Sequence, residues 1–546
     1  MYEIEEVDAL SRIGQLEING KKLITPNLIP VVHPFDQIIQ PPELKEFGAN
    51  AIFTNSFIMY QNQKFRDKII SQNIHRFLEY DGLIATDSGA FQQYMYDNSI
   101  PIDPKKIEAF QEDIGSDMPV ILDLPVQIED DYEKAKSKVL TTIKRAKDNI
   151  KRRRNQKCHW FGPIHGGIHK DLLRLSAEKM GELQFDIWAL GGLVKSFLKY
   201  RFNAILEMLL TVKQYIPSNK PLHMFGLGLP QFFSLAVACG CDLMDSAAYI
   251  LFAKEDRYFT ISTGTKKLDN LKEFPCSCPI CCEYTPKQLK KMPEDIKTKL
   301  LAKHNLYVSF SELRKVRQAI REGNLWELVE QRIRNHPELV NAFRIVKEYL
   351  PLFEKHEPIY KNHGRFYTTF ESLSRPLNYR YSQRLKDMYR APNRARFLLI
   401  IPELDLKAGN SLSIKRWLKQ LDHNQICPRP LIHVSFLSNV FGLIPLELAQ
   451  TFPMGQYESV KHIIKNDYHI FNTREKIKKF LNTHSNNYQK CGLFLPKTYI
   501  NEYDEVVTFD KHLIGATKET FNKFFENDLF TSNNLEEILN FFNNGG

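Results

Sequence analysis

Eight short apolar runs, each followed by an amphipathic segment, constrain this chain more than any other feature. They are IPVV (29–32), AIFT (51–54), LIAT (83–86), PVIL (119–122), WFGPI (160–164), DIWAL (186–190), LHMF (222–225) and DLM (242–244). Segments such as PKKIEAFQEDIG and DYEKAKSKVLTTIKRAKDNI lie between them with apolar residues at helical spacing. Eight alternating strand and helix units predict an α/β fold, a closed (β/α)₈ TIM-like barrel. A doubly wound open sheet is the alternative, because short runs do not reveal closure. A hairpin precedes the runs: RIGQLEI and KKLIT flank Asn19-Gly20, a dipeptide suited to a tight turn with positive φ.

The residues just past the runs are as informative as the runs themselves. LIAT leads into Asp87-Ser88-Gly89, PVIL into Asp123, GPI into His165-Gly166-Gly167, WAL into Gly191-Gly192, LHMF into Gly226 and DLM into Asp245. In a barrel the carboxyl ends of all strands share one face, which carries the active site. A single strand-end Asp reads equally well as a helix cap. Six such positions delivering three carboxylates, an imidazole and close-approach glycines point to one pocket.

Thirty-one residues beyond Asp245 begins a Cys-x-Cys-x₂-Cys-x₂₂-His set, formed by Cys276, Cys278, Cys281 and His304. Three thiolates and an imidazole fill a tetrahedral Zn²⁺ shell and leave no place for water, so one structural zinc is expected and the chemistry lies elsewhere. Cys282, next to the third ligand, is a bystander that could exchange with Cys281. At 546 residues the chain needs two to four domains. MYEIEEVDAL is no signal peptide and no apolar stretch reaches about 18 residues, so a soluble, cytoplasmic protein is expected, with no membrane partner. The net charge of +10 is concentrated in KRAKDNIKRRRNQK (Lys144 to Lys157) and in Arg314, Arg317 and Arg321 at helical spacing. Each cluster reads as a solvated face or as a phosphate contact.

Taken together, DSGAFQ (87–92), ILDLP (121–125), HGG (165–167), ALGGL (189–193), HMFGLG (223–228), MDSAAY (244–249) and the Cys₃His set resemble the tRNA-guanine transglycosylases, most closely the archaeal branch. The resemblance covers roughly residues 10 to 350. It implies a TIM-like barrel with an inserted zinc subdomain, a homodimer, and tRNA and a free 7-deazaguanine base as partners. For the archaeal branch it implies exchange of guanine 15 in the D-arm for 7-cyano-7-deazaguanine, in archaeosine biosynthesis. Retention of configuration at an N-glycosidic carbon calls for two displacements. Asp245 matches the family nucleophile and Asp87 the carboxyl that handles protons on the leaving and incoming bases. By the same resemblance Asp123 accepts from the base N1–H and exocyclic amine, and backbone at Gly191, Gly192 and Leu193 reads the 7-substituent. Phe91 and Phe225 sandwich the base, Gly226 lines the pocket, and Ser88 supports the turn or a phosphate. His165 departs from the pattern, standing where the family usually has a glutamine that contacts the base.

The sequence also departs at its carboxyl end. RARFLLIIPELDLKAGNSLSIKRWLKQL and the following RPLIHVSFLSNVFGLIPLELAQTFPMGQYE resemble the central domain of archaeosine synthase, and the Gly-punctuated strands of a terminal RNA-gripping β module are not evident. Pro402 and Lys407 keep the spacing of that family's lysine motif, but Glu403, Ala408 and Gly409 replace its cysteine, proline and tyrosine. A scaffold or RNA-binding role is expected there. The tail from Glu502 reads as helical. The expected organisation is a barrel over 1–265, a zinc subdomain with closing helices over 266–360, and an α/β region over 361–546. Two rival readings are an archaeosine synthase-like amidating enzyme and a non-catalytic tRNA-binding partner subunit. The first would keep an intact lysine motif, and the second would have lost a carboxylate or pocket glycine.

Overall fold

The computed structural model describes residues 1–90, 103–262, 264–405, 410–459 and 467–544. These form two compact units, Met1–His356 and Glu357–Gly546. The barrel strands and the cysteine-histidine set therefore belong to one unit.

The first unit opens with an antiparallel sheet of β1 (Tyr2–Asp8), β2 (Ser11–Ile18) and β3 (Lys21–Thr25). Asn19 and Gly20 take φ of 51° and 75°, the left-handed pair that a two-residue hairpin requires. Eight parallel strands come next: β4 (Asn27–Pro30), β5 (Ala51–Asn55), β6 (Leu83–Asp87), β7 (Met118–Pro119), β8 (Phe161–Ile164), β9 (Ile187–Leu190), β10 (Leu222–Met224) and β11 (Leu243–Ser246). β5, β6 and β7 pair in sequence, as do β8, β9, β10 and β11, and β11 pairs back onto β4. Parallel bridges Val31–Phe53 and Val120–Phe161 join the two arcs into a closed ring. The eight expected strands lie within a few residues of their sequence positions, and the open-sheet alternative is set aside by closure.

Side-chain alternation divides each strand between two cores. Ile29, Ala51, Phe53, Leu83, Ala85, Met118, Val120, Phe161, Ile187, Ala189 and Leu243 fill the barrel interior. Leu28, Ile52, Ile84, Ile164, Trp188, Leu190, Leu222 and Met244 face outward into the larger core shared with the surrounding helices. Leu16, Ile18 and Leu23 of the opening hairpin join the interior cluster. Asn19 at the hairpin tip donates to Asp117 (3.0 Å), just before β7. The hairpin thus seals the amino-terminal end of the barrel and leaves the carboxyl mouth as the open one. The same alternation carries Asp87, Gly191 and Asp245 inward, two residues beyond Ala85, Ala189 and Leu243.

The second unit is a five-stranded sheet in the order 442–445, 432–438, 397–402, 490–494, 529–532, parallel except for the hairpin between 432–438 and 442–445. Its helices include Leu412–His423, Asp467–His484, His512–Phe525 and Leu535–Asn543. The tail expected to be helical is interrupted by strand Leu529–Ser532, which pairs with Cys491–Phe494. Sheet pairing supplied by a distant strand overrides the local preference there.

Candidate active site and metal centre

Asp87 ends β6 at the mouth. Asn55, at the end of β5, caps helix Ser56–Gln61 through its side-chain oxygen (Ile58 N, 2.8 Å) and turns its amide onto Asp87 Oδ2 at 2.9 Å. Ser56 Oγ donates to the Asp87 carbonyl at 2.6 Å, so the strand end is held from two directions. Burial, reinforced by the negative charges of Asp123 and Asp245, pushes the Asp87 carboxyl up to about 7, against the opposing pull of the Gly89 and Ser88 amides. A carboxyl with that affinity holds a proton near neutrality and can deliver it.

Asp123 and His165 form a tight buried pair, with Nε2 to Oδ2 at 2.5 Å. The His165 amide donates to Ser176 Oγ at 3.1 Å, while its Nδ1 has no partner among the described residues. Gly191 lies against this ring, where a Cβ would collide with the imidazole. Gly192 has φ of 79°, and a Cβ there would run into the Val126 carbonyl. Gly191 is thus fixed by close approach, and Gly192 by close approach together with its left-handed backbone. Leu193 is buried and leads into helix Val194–Leu198.

Asp245, on β11, accepts at Oδ1 from His223 Nε2 (2.7 Å) and from the amide of Gly226 (3.1 Å). Phe225 stands beside His223 with ring centroids 4.9 Å apart, and contacts Phe161 and Phe53 at the top of the interior core. Ser88 is buried and donates to the Ile121 carbonyl at 3.0 Å, which ties β6 to the segment before Asp123. Phe91 lies outside the described residues, as does Lys407 in the second unit.

Two residues at this mouth escaped the reading of the chain. Asn55 directly follows the run AIFT and is a polar strand-end residue like the others. His223 lies inside a quoted motif, but only its distance to Asp245 reveals it. The arginines of the basic clusters are tied to the protein itself. Arg152 pairs with Glu108 (2.5 Å), Arg154 with Glu112 and Asp113 (both 2.9 Å), and Arg153 stacks on Phe185 (4.7 Å). Arg317 donates to the Pro26 carbonyl (2.6 Å), Arg314 to that of Phe47 (3.4 Å), and Arg321 faces Glu6 (3.5 Å). These arginines latch elements together, while Lys144, Lys147, Lys151 and Lys157 of the first cluster stay exposed.

Cys276, Cys278, Cys281 and His304 present ligand atoms that all lie within 4.8 Å of one another. His304 Nδ1 is 3.4 Å from the sulfurs of both Cys278 and Cys281, close to the edge of about 3.5 Å that tetrahedral Zn–S and Zn–N bonds produce. His304 Nε2 bonds the Phe259 carbonyl at 3.0 Å, which leaves Nδ1 unprotonated for a metal. Tyr258 stacks on that imidazole at 3.7 Å. Asn305, the next residue, donates to the Tyr249 carbonyl (3.0 Å) and accepts from Phe259 N (2.8 Å), so the metal-binding helix is latched just downstream of Asp245. The donor set fits a metal ion.

A closed parallel barrel with three carboxylates at its mouth, and a cysteine–histidine cluster that could hold a metal ion latched behind one of them, defines a barrel enzyme. The family model described as Queuine tRNA-ribosyltransferase matches residues 8–338. The tRNA-guanine(15) transglycosylase of Methanococcus vannielii is 42% identical over 466 residues, covering 84% of this chain and 69% of that protein. That of Methanococcus aeolicus is 38% identical over 550 residues, covering 98% of this chain and 80% of the relative. That of Pyrococcus furiosus is 39% identical over 460 residues, covering 84% and 71%. The chain belongs to the tRNA-guanine transglycosylase family, as a member of archaeal type, and is a transferase. The match to the Methanococcus aeolicus protein runs through the second unit, so the region that resembles archaeosine synthase is shared with a relative named as a transglycosylase. Among the described residues no helix is long and apolar enough to cross a membrane.

Proposed function

We propose that this chain replaces guanine 15 of tRNA with free 7-cyano-7-deazaguanine, a step of archaeosine biosynthesis, by double displacement. The Asp245 carboxylate attacks C1′, the C1′–N9 electron pair leaves on the guanine, and Asp87 supplies the proton. The incoming base gives its N9 proton back to Asp87 and displaces the ester. Asp123 holds the Watson–Crick edge of the base, the backbone at Gly191, Gly192 and Leu193 meets its 7-substituent, and Phe225 with Phe91 flanks its faces. A nucleotide inside folded tRNA must be extruded to reach such a mouth. The observation that carries this reading is the pairing, at one mouth, of Asp245 with a second carboxyl that burial and like charge push up to about 7.

Zinc is the metal proposed for the four-ligand site, where it supports folding and takes no part in the chemistry. A cytoplasmic homodimer is the proposed working form, with the barrel, zinc subdomain and C-terminal region bounded as the sequence suggests and the last serving as scaffold. The test is Asp245→Ala. It should abolish exchange of labelled guanine while tRNA binding stays within about threefold, because the lost group acts on C1′ and not on the phosphate backbone. A variant that exchanges near the wild-type rate removes Asp245 from the mechanism. Mapping the labelled nucleotide, with cyano- and aminomethyl-deazaguanine as competitors, tests the position and the base.

A further inference from the structure

We infer that His223 is a positioning residue for Asp245, and that it and the Gly226 amide decide which carboxylate oxygen attacks. The inference rests on Asp245 being the nucleophile. Both donors converge on one atom: His223 Nε2 at 2.7 Å and Gly226 N at 3.1 Å share Oδ1, while Oδ2 accepts no bond among the described residues. Two hydrogen bonds withdraw electron density from Oδ1 and fix the plane of the group. Oδ2 keeps its lone pairs, on a side chain that is 13% exposed at the mouth.

The orientation of the His223 ring is set by its surroundings. The ring is fully buried, with Phe225, Phe161 and Phe53 at centroid distances of 4.9, 5.2 and 6.1 Å. Its Nδ1 has no partner among the described residues, so a ring proton placed there would be a buried, unpaired N–H. The ring proton that bonds Asp245 therefore sits on Nε2, and the packed ring holds that donor against Oδ1.

The same geometry serves both displacements. In the first, the Oδ2–C1′ bond forms as the C1′–N9 pair departs on the guanine, protonated by Asp87. Oδ1 then becomes the carbonyl oxygen of the ribosyl ester and keeps its two donors. In the second, N9 of the incoming base bonds C1′ and the Oδ2–C1′ pair returns to the carboxylate. The donors at Oδ1 polarise the ester and make it the better leaving group.

The test compares His223→Leu, His223→Gln and His223→Asn in single-turnover exchange and steady state. Removal of one such donor lowers kcat by about 10²-fold. We expect His223→Leu to show that loss with KM for tRNA and base within twofold of wild type. Glutamine, whose amide reaches the Nε2 position, should recover at least about tenfold of it, and the shorter asparagine should not. If the leucine variant fails to fold, the glutamine and asparagine pair decides. Equal rates for these two, a leucine variant within about threefold of wild type, or a loss carried by KM would overturn the inference. Mass spectrometry of the trapped ribosyl-enzyme separates the two levels. An adduct on another residue removes the Asp245 assignment and this inference with it. An adduct on Asp245 with indifferent His223 variants removes this inference alone.

Discussion

Asp87→Asn tests the electrostatics of the mouth in two independent ways. Asparagine keeps the volume and removes the titration. Asp87 is half-buried, and desolvation together with the charges of Asp123 and Asp245 pushes its carboxyl from the ordinary aspartate range up to about 7. At about 1.4 kcal/mol per unit the full linkage is about 4 kcal/mol, and solvent reaching the mouth reduces it to about 2 kcal/mol. The native state binds this proton more tightly than the unfolded chain. Stability contributed by the site is therefore fully present below about pH 4, falls as pH rises, and is lost above about pH 7. The variant lacks this dependence, so denaturant titrations should find it more stable than wild type by about 2 kcal/mol at pH 8, with the gap closing towards pH 4. Exchange should behave oppositely. Wild-type kcat/KM should fall about tenfold per unit above pH 7 as the acid ionises, and the variant should lose about 10²- to 10⁴-fold at neutral pH. A wild-type rate that stays flat from pH 6 to 9, or a variant no more stable at pH 8 than wild type, would refute the assignment of a proton-holding Asp87.

Chelation, or Cys278→Ser, should lower the melting temperature by about 5 °C or more before it slows exchange in the molecules that stay folded, and elemental analysis should find about one zinc per chain. A metal-free chain with full stability removes the structural-zinc reading. Lys407→Ala should leave exchange unchanged, since a reactive lysine needs a shaped pocket and its motif neighbours Glu403, Ala408 and Gly409 have been replaced. Mass spectrometry of digested tRNA checks it: a formamidine product that depends on Lys407 would make the protein bifunctional.

Much of the barrel was legible because its signals are local. The apolar runs mark the strands, and the residues just past them, Asp87, Gly191 and Asp245 among these, are placed at the strand ends before any contact is known. The Asn19-Gly20 turn and the cysteine spacing are legible for the same reason, since each rests on neighbours in the chain. The C-terminal tail shows the limit. Residues 529–532 become a strand because Cys491–Phe494 offers them an edge, and nothing in their own sequence announces that partner.

Tertiary structure alone decided the rest. Closure depends on two bridges, Val31–Phe53 and Val120–Phe161, between residues whose runs look no different from those of an open sheet. The arginine at 317 reads as a surface charge from its spacing, yet it is spent on the Pro26 carbonyl, 291 residues away. His223 reads as one more strand residue until folding sets Asp245 2.7 Å from its Nε2. The proton affinity of Asp87 comes from burial and from carboxylates on two other strand ends, so no window of sequence contains its cause. The sequence by itself determined which residue types stand at each strand end. Their charge states and hydrogen bonds were decided by the fold, because electrostatic and desolvation energies depend on distance in space, which the closed ring sets and the order of residues does not.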